Sequence, residues 1–233
     1  MSAAVGTTSG LGKTPATDAA AQCEEAASRL EQASAEEIIA WTVERFGGDL
    51  LLASSFQDAV LIDLAVKVKP DIEVLFLDTG FHFPETLAYM RELGRRYQLN
   101  LRIEESGLSS EESPCGSAQC CELRKVVPLQ RAIAGKAAWI TGLKRVDTPE
   151  RADAPVVSWD AAKGVAKVNP LATWSDDDVD AYVAEHGLLR HPLNYVGYIS
   201  IGCAPTTRPV APGEDPRAGR WPDSDKTECG LHL

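Results

Sequence analysis

The stretches DLLLASS (residues 49–55) and IEVLFLDT (72–79) decide the fold. Each is a short apolar run closed by small polar residues. Between them lies a helix-length segment from Asp58 to Val68, which Pro70 ends. Continuous apolar runs of this length read as strands buried on both faces, and strands alternating with helices argue for a parallel α/β sheet. The pattern continues outward. PETLAYMRELGRRY (84–97) is a helix with proline at its start, and LRIEES (101–106) is a third strand. Cys121 to Ile133 is helical, AAWITGL (137–143) a fourth strand and VAKVNPL (165–171) a fifth. Ser175 caps a helix through His186, with Asp176, Asp177 and Asp178 in the first turn, where they suit the helix dipole. Towards the N-terminus, SAEEIIAWTVERF (34–46) has helical periodicity, and Ser34 with Glu37 fits a capping box. Residues 1–33 read as a poorly ordered leader in which Cys23 is an incidental thiol. From about residue 190 Pro and Gly recur, giving an irregular tail too long for an idle connector. The expected organisation is therefore a disordered leader (1–33), an α/β nucleotide-binding domain (34–200) and a C-terminal segment (201–233).

A chain of 233 residues with 44% hydrophobic and 24% charged residues can build one sizeable core. Its net charge of -11 argues against nucleic-acid and membrane-surface partners, but not against a small anion held by local cations. No segment approaches the ~20 apolar residues of a membrane span, and the N-terminus has no secretory pattern. Six cysteines in that setting point to a reducing, cytoplasmic compartment, where thiols serve as ligands or reactive groups. Oligomeric state is left open, a homo-oligomer included.

Polar residues cluster where the strands end. Ser54 and Ser55 follow the first strand at a helix start, where hydroxyls and free N–H groups make either an anion site or an ordinary N-cap. Asp78 and Thr79 close the second strand, in the crevice where open α/β sheets bind ligands. Arg124, Lys125, Lys144, Arg145 and Arg151, with Arg208, Arg217 and Arg220 in the tail, suggest a ligand of several negative charges. Adjacent Cys120 and Cys121 are turned about a hundred degrees apart on a helix, so they share one cluster only with local distortion, and a strained vicinal disulfide or two inert buried thiols are the alternatives. Cys203 and Thr206 stand at C-x-x-C spacing with threonine in the second place, and threonine is a poor ligand where iron–sulfur chemistry wants thiolate. Cys229, in ECGLH near the chain end, is either a fortuitous tail thiol or one that the tail arginines and His232 would hold as thiolate and present to a substrate.

These stretches resemble the assimilatory sulfonucleotide reductases, in particular the bacterial thioredoxin-dependent adenylyl-sulfate (APS) reductases. The resemblance rests on SSFQDAVLIDL, FLDTGFHFPET, CCELRKVVPL, TGLKRVDTPERADAP, VNPLATWSDDDV, GYISIGCAP, DPRAGRW and KTECGLH, spanning about residues 50 to 232. It implies an adenine-nucleotide α-hydrolase-like (PP-loop) sheet with helices on both faces. It implies an oxidoreductase of sulfate assimilation and cysteine biosynthesis, turning adenylyl sulfate and reduced thioredoxin into sulfite and AMP through an S-sulfocysteine. It makes Cys229 the nucleophile, with Lys125, Arg217, Arg220 and His232 around the anionic groups and Lys144 and Arg145 in the same cationic wall. Ser54, Ser55, Asp78 and Thr79 would contact the nucleotide. It implies a 4Fe–4S cluster on Cys120, Cys121, Cys203 and a fourth ligand at the position where this chain has Thr206. The options there are a three-cysteine cluster, a 3Fe–4S remnant, no cluster, or a substitute thiolate from Cys115, which would have to reach across five residues. The expectation is weaker iron retention than in a four-cysteine relative. A 3'-phosphoadenylyl-sulfate (PAPS) reductase and a non-catalytic iron–sulfur redox sensor are the alternative readings.

Overall fold

The computed structural model describes residues 16–224 and 226–231. Its centre is a six-stranded sheet of β1 (Leu50–Ala53), β2 (Glu73–Asp78), β3 (Asn100–Glu105), β4 (Ala138–Thr141), β5 (Val157–Asp160) and β6 (Val165–Val168). The strand order is β3-β2-β1-β4-β6-β5, parallel throughout except for the antiparallel β5–β6 pair. The helices are α1 (Ala16–Leu30), α2 (Ala35–Phe46), α3 (Val60–Val68), α4 (Pro84–Arg96), α5 (Val127–Ile133) and α6 (Asp176–Glu185).

The pleat explains why the strand runs are apolar without alternation. Leu50 and Leu52 enter the larger core, while Leu51 between them enters a second core on the opposite face. Val74 and Phe76 divide from Leu75 in the same way, and Ala138 and Ile140 from Trp139. The second core is closed by Leu129, Ala132 and Ile133 of α5, so helices cover both faces. Each fully buried Leu or Ile contributes roughly 1.5–3 kcal/mol.

The sheet runs from β1 to β2 and β3 on one side, then returns to place β4 on the other. Parallel sheets open a ligand crevice at such a reversal, beyond the carboxyl ends of the two strands. Here those ends are Ala53–Ser54 and Thr141–Gly142.

The Ser34 capping box is formed, with Ser34 Oγ accepting from Glu37 N–H, and the Ser175 cap is also a box, with Ser175 Oγ accepting from Asp178 N–H. Four expectations need correction. Residues 16–30, read as leader, form α1, whose Cys23, Ala26 and Leu30 are buried at helical spacing and pack towards β5. Alanine-rich sequence looked unstructured, yet alanine is the strongest helix former. Residues 1–15 lie outside the described residues. Strand β5 is an addition: VSWD turns back along β6, and Gly164 at φ 66° supplies the turn's left-handed residue. Helix α3 begins at Val60 rather than Asp58, because the Asp58 side chain accepts the Val60 N–H and starts the helix from outside it. Finally, Glu122–Val126 is a π-helical turn that passes into α5. Cys120 and Cys121 lie just before it, Cys121 in ordinary helical geometry (φ -69°, ψ -35°), and π turns of this kind recur at functional sites.

Candidate active site

A cavity of about 210 Å³ opens at the β1/β4 reversal. Ser54 and Ser55 line it from β1, and Thr141 and Gly142 from β4. Beyond Ser54 the backbone bends through Phe56, a left-handed residue (φ 55°) with a side chain fully buried edge-on to Phe76. Ser54 Oγ accepts the Phe56 N–H at 3.0 Å and fixes this bend. The irregular tail folds back over the strand ends to complete the cavity. Ile201 N–H donates to Gln57 Oε1 at 2.9 Å, Ala204 N–H to Phe81 O at 2.7 Å, and Thr207 bridges Arg220. Arg217, Arg220 and Cys229 thereby join Lys125 in the wall.

The cations around this space have distinct surroundings. Burial alone would pull Lys125 down, but the negative charge of ionised sulfur nearby, Cys203 first, holds its ammonium above the usual lysine range. Burial lowers the Arg220 guanidinium, which lies over Trp221 at 4.6 Å and donates to Ser200 Oγ at 3.2 Å. Its buried Nε finds no partner among the described residues. An anion in the cavity would supply one. Arg217 donates to Thr227 O at 3.0 Å, and Lys144 is paired with Asp176 and, at 3.4 Å, with Asp147.

Cys229 is fixed through its neighbour. Arg151 meets the Glu228 carboxylate with Nε at 2.5 Å and Nη2 at 2.7 Å, and Thr148 Oγ1 donates to the same carboxylate at 3.0 Å. Burial would raise the Glu228 carboxyl, but the Arg151 bridge more than offsets it and holds it below the usual range. This latch closes the chain end over the cavity.

Behind the wall lies a smaller cavity lined by Cys115, Cys120, Cys121, Cys203 and Thr206. Lys125, Arg220 and Trp221 line both cavities. Lys226 Nζ donates to Cys121 Sγ at 3.1 Å, and Thr79 Oγ1 lies 3.5 Å from Cys203 Sγ. A hydrogen bond from the Cys115 thiol, outweighing burial and helped by Lys125, holds the Cys203 thiol below the usual thiol range. All six cysteines are free thiols. Among the described residues no three His, Cys, Asp or Glu side chains converge on a site for one metal ion.

Most of the sequence candidates are gathered here, and some are displaced. Ser54, Ser55, Lys125, Lys144, Arg217, Arg220 and Cys229 line the larger cavity. Arg145 does not: both its terminal nitrogens bind Glu31 at the end of α1, at 2.5 and 2.9 Å. Its partner sat in the supposed leader, so the sequence offered no competitor for this charge. Thr79 belongs to the thiol cavity, and Asp78 builds a turn by accepting the Gly80 N–H at 2.8 Å. Arg124 is buried and spends its guanidinium on Ser113 O, Ser109 O and Thr79 O. His232 lies outside the described residues. The sequence reading missed Gln57, Asp58, Trp139 and Glu228 as lining residues, and gave Arg151 no role as a latch. Only the position of Glu228 beside Cys229 could have signalled its part.

The fold and its crevice define a member of the PP-loop class of α/β proteins. The chain belongs to the family described as "Phosphoadenosine phosphosulfate reductase domain", whose sequence model matches residues 50–209. It is 47% identical over 219 residues to "Adenosine 5'-phosphosulfate reductase" of Mycolicibacterium smegmatis, covering 90% of this chain and 93% of that one. The protein of the same description from Streptomyces coelicolor is 44% identical over 221 residues, covering 91% and 94%. Among solved structures, the phosphoadenylyl-sulfate (PAPS) reductase of Candida auris, as a phosphate complex, superposes with a TM-score of 0.68. It is 27% identical and covers 81% of this chain and 96% of that chain. Candida glabrata FMN adenylyltransferase shares the fold (TM-score 0.58, 15% identity, 82% of this chain and 74% of that one).

Proposed function

We propose that this chain reduces adenylyl sulfate to sulfite and AMP, with Cys229 as nucleophile and thioredoxin as the reductant. The observation that carries the reading is Cys229 in one cavity with Ser54, Lys125, Arg217 and Arg220, at the nucleotide crevice of a parallel sheet. In the proposed reaction the Cys229 thiolate attacks the sulfur of the sulfate group. The bond from sulfur to the bridging phosphate oxygen breaks, AMP departs with its electron pair, and an S-sulfocysteine remains. A thioredoxin thiolate then attacks Cys229 Sγ and expels sulfite. Its second thiol resolves the mixed disulfide, returning Cys229 and leaving thioredoxin oxidised, so two electrons pass from the dithiol to sulfur. Lys125, Arg217 and Arg220 would bear the sulfate and phosphate charge. Ser54 and Ser55 would hold the nucleotide.

The soft donor set of the smaller cavity fits an iron–sulfur cluster, with Cys120, Cys121 and Cys203 among its ligands. When bound, a cluster adds electron-rich charge beside Lys125 and so tunes the cationic wall that meets the substrate. Adenylyl sulfate is favoured over its 3'-phosphorylated form by these cysteines and by the relatives' names. No helix among the described residues is long and apolar enough to cross a membrane, and free thiols throughout suit the reducing cytoplasm. Turnover of the two sulfonucleotides with reduced thioredoxin tests the reading. Preference for adenylyl sulfate, lost in Cys229→Ser, is the expected result; turnover of the 3'-phosphorylated compound alone would reassign the substrate.

A further inference from the structure

The residue standing at the fourth cluster position is Thr206, and its nearest thiol is Cys115, with Sγ 3.8 Å from Thr206 Oγ1. Cys115 lines the same cavity as Cys120, Cys121 and Cys203. The reach across five residues is achieved by a tight turn: Ser117 N–H donates to Pro114 O at 3.2 Å, and Cys120 N–H to Ser117 O at 3.1 Å. Gly116 within it has φ 86°, and a Cβ there would lie 3.5 Å from Thr206 Cγ2, so the turn packs directly on residue 206. The segment leading to the turn is held from inside the protein. Buried Arg124 donates to Ser113 O at 3.0 Å and Ser109 O at 2.5 Å, and also to Thr79 O at 3.0 Å, which ties the Cys115 loop to the end of β2. A buried guanidinium committed to backbone carbonyls is a costly arrangement to leave unmade, so these bonds tether the loop beside β2.

We infer that Cys115 supplies the fourth thiolate of the cluster site, replacing the ligand that Thr206 does not provide. The ligand set becomes Cys115, Cys120, Cys121 and Cys203, four soft donors around one small cavity, with the threonine hydroxyl beside them as a neighbour. The inference rests on the reading that this chain holds an iron–sulfur cluster. It reverses the expectation of weak iron retention: with four thiolates, no iron is left open to water.

The test uses the full chain, anaerobically reconstituted with iron and sulfide, in four forms: unaltered, Cys115→Ser, Thr206→Cys, and Cys115→Ser with Thr206→Cys. The readouts are iron and sulfide per chain and the visible charge-transfer absorption during exposure to air. Circular dichroism and melting of the metal-free forms separate ligand loss from unfolding. The unaltered chain should retain about four iron and four sulfide. Cys115→Ser should lose iron and bleach in air, and the double variant should regain both. Iron and absorption in Cys115→Ser equal to the unaltered chain would overturn the assignment. If only forms carrying Thr206→Cys hold a cluster, the assignment falls while the cluster reading stands. Iron in none of the four would remove the cluster reading itself, and the assignment with it.

Discussion

Gly202 has no side chain because Arg220 occupies the space one would need. A Cβ there would lie 2.5 Å from Arg220 Cζ and 2.6 Å from its Nε. The clash is with the end of a side chain rather than with backbone, so Gly202→Ala should fold with the guanidinium displaced. Its expected signature is a loss of about tenfold or more in kcat/KM for the sulfonucleotide, ~1.4 kcal/mol or more of transition-state stabilisation, with the melting temperature nearly unchanged. Unaltered kcat/KM would mean that Arg220 does not bear the substrate's charge. Residue type and neighbourhood put Cys229, Lys125, Arg217 and Arg220 among a wider set of candidates, and the family resemblance assigned their roles. Neither showed which cations were already committed. Arg145 and Arg124 have the same side chain as Arg220, and only the fold reveals that Glu31 and three backbone carbonyls claim them.

Between elements, two buried contacts make predictions about pH and closure. Arg151, after β4, holds Glu228 in the tail, with side chains 10% and 3% exposed. Arg151→Met leaves that carboxylate only the Thr148 hydroxyl at 3.0 Å and Arg217 at 3.9 Å, a loss of up to about 3–5 kcal/mol, the cost of a broken buried pair. The latch should open, so limited proteolysis should cut the tail faster and turnover should fall while the helical signal persists. Because the folded Glu228 carboxyl lies below its unfolded value, the latch is fully formed above about pH 4.3 and is lost as pH falls through the folded value. His191 ties α4 to the turn Pro192–Val196: Leu193 N–H donates to its Nδ1 at 3.2 Å, so Nε2 carries the proton and donates to Thr86 Oγ1 at 3.0 Å. Burial drives its pKa from 6.5 down to about 4. The unfolded chain therefore takes up a proton first as pH falls. Stability should decline from about pH 6.5 to about pH 4, by about 3 kcal/mol, and melting curves of His191→Gln should lack this portion of the decline. The sequence contained neither contact, since each joins residues far apart along the chain.

At the scale of the whole molecule, the sheet follows from its apolar runs, and the site follows from where the sheet reverses. The runs at 49–55 and 72–79 carried enough pattern to define strands, because burial on both faces leaves no polar alternation. Strand β5 escaped notice because VSWD is short and only partly buried at an edge. Helix α1 escaped because its stripe of Cys23, Ala26 and Leu30 is small. The tail was legible as functional but not as folded: single hydrogen bonds and the Arg151–Glu228 latch hold it, and none of these has a sequence period. In the proposed mechanism this tail delivers Cys229 to a sulfonucleotide bound in the crevice. Intact-protein mass spectrometry after adding adenylyl sulfate tests it most directly. One sulfonate should be added at Cys229, absent in Cys229→Ser and removed by reduced thioredoxin with release of sulfite. Sulfite production at an undiminished rate by Cys229→Ser, with no adduct on the parent chain, would contradict it.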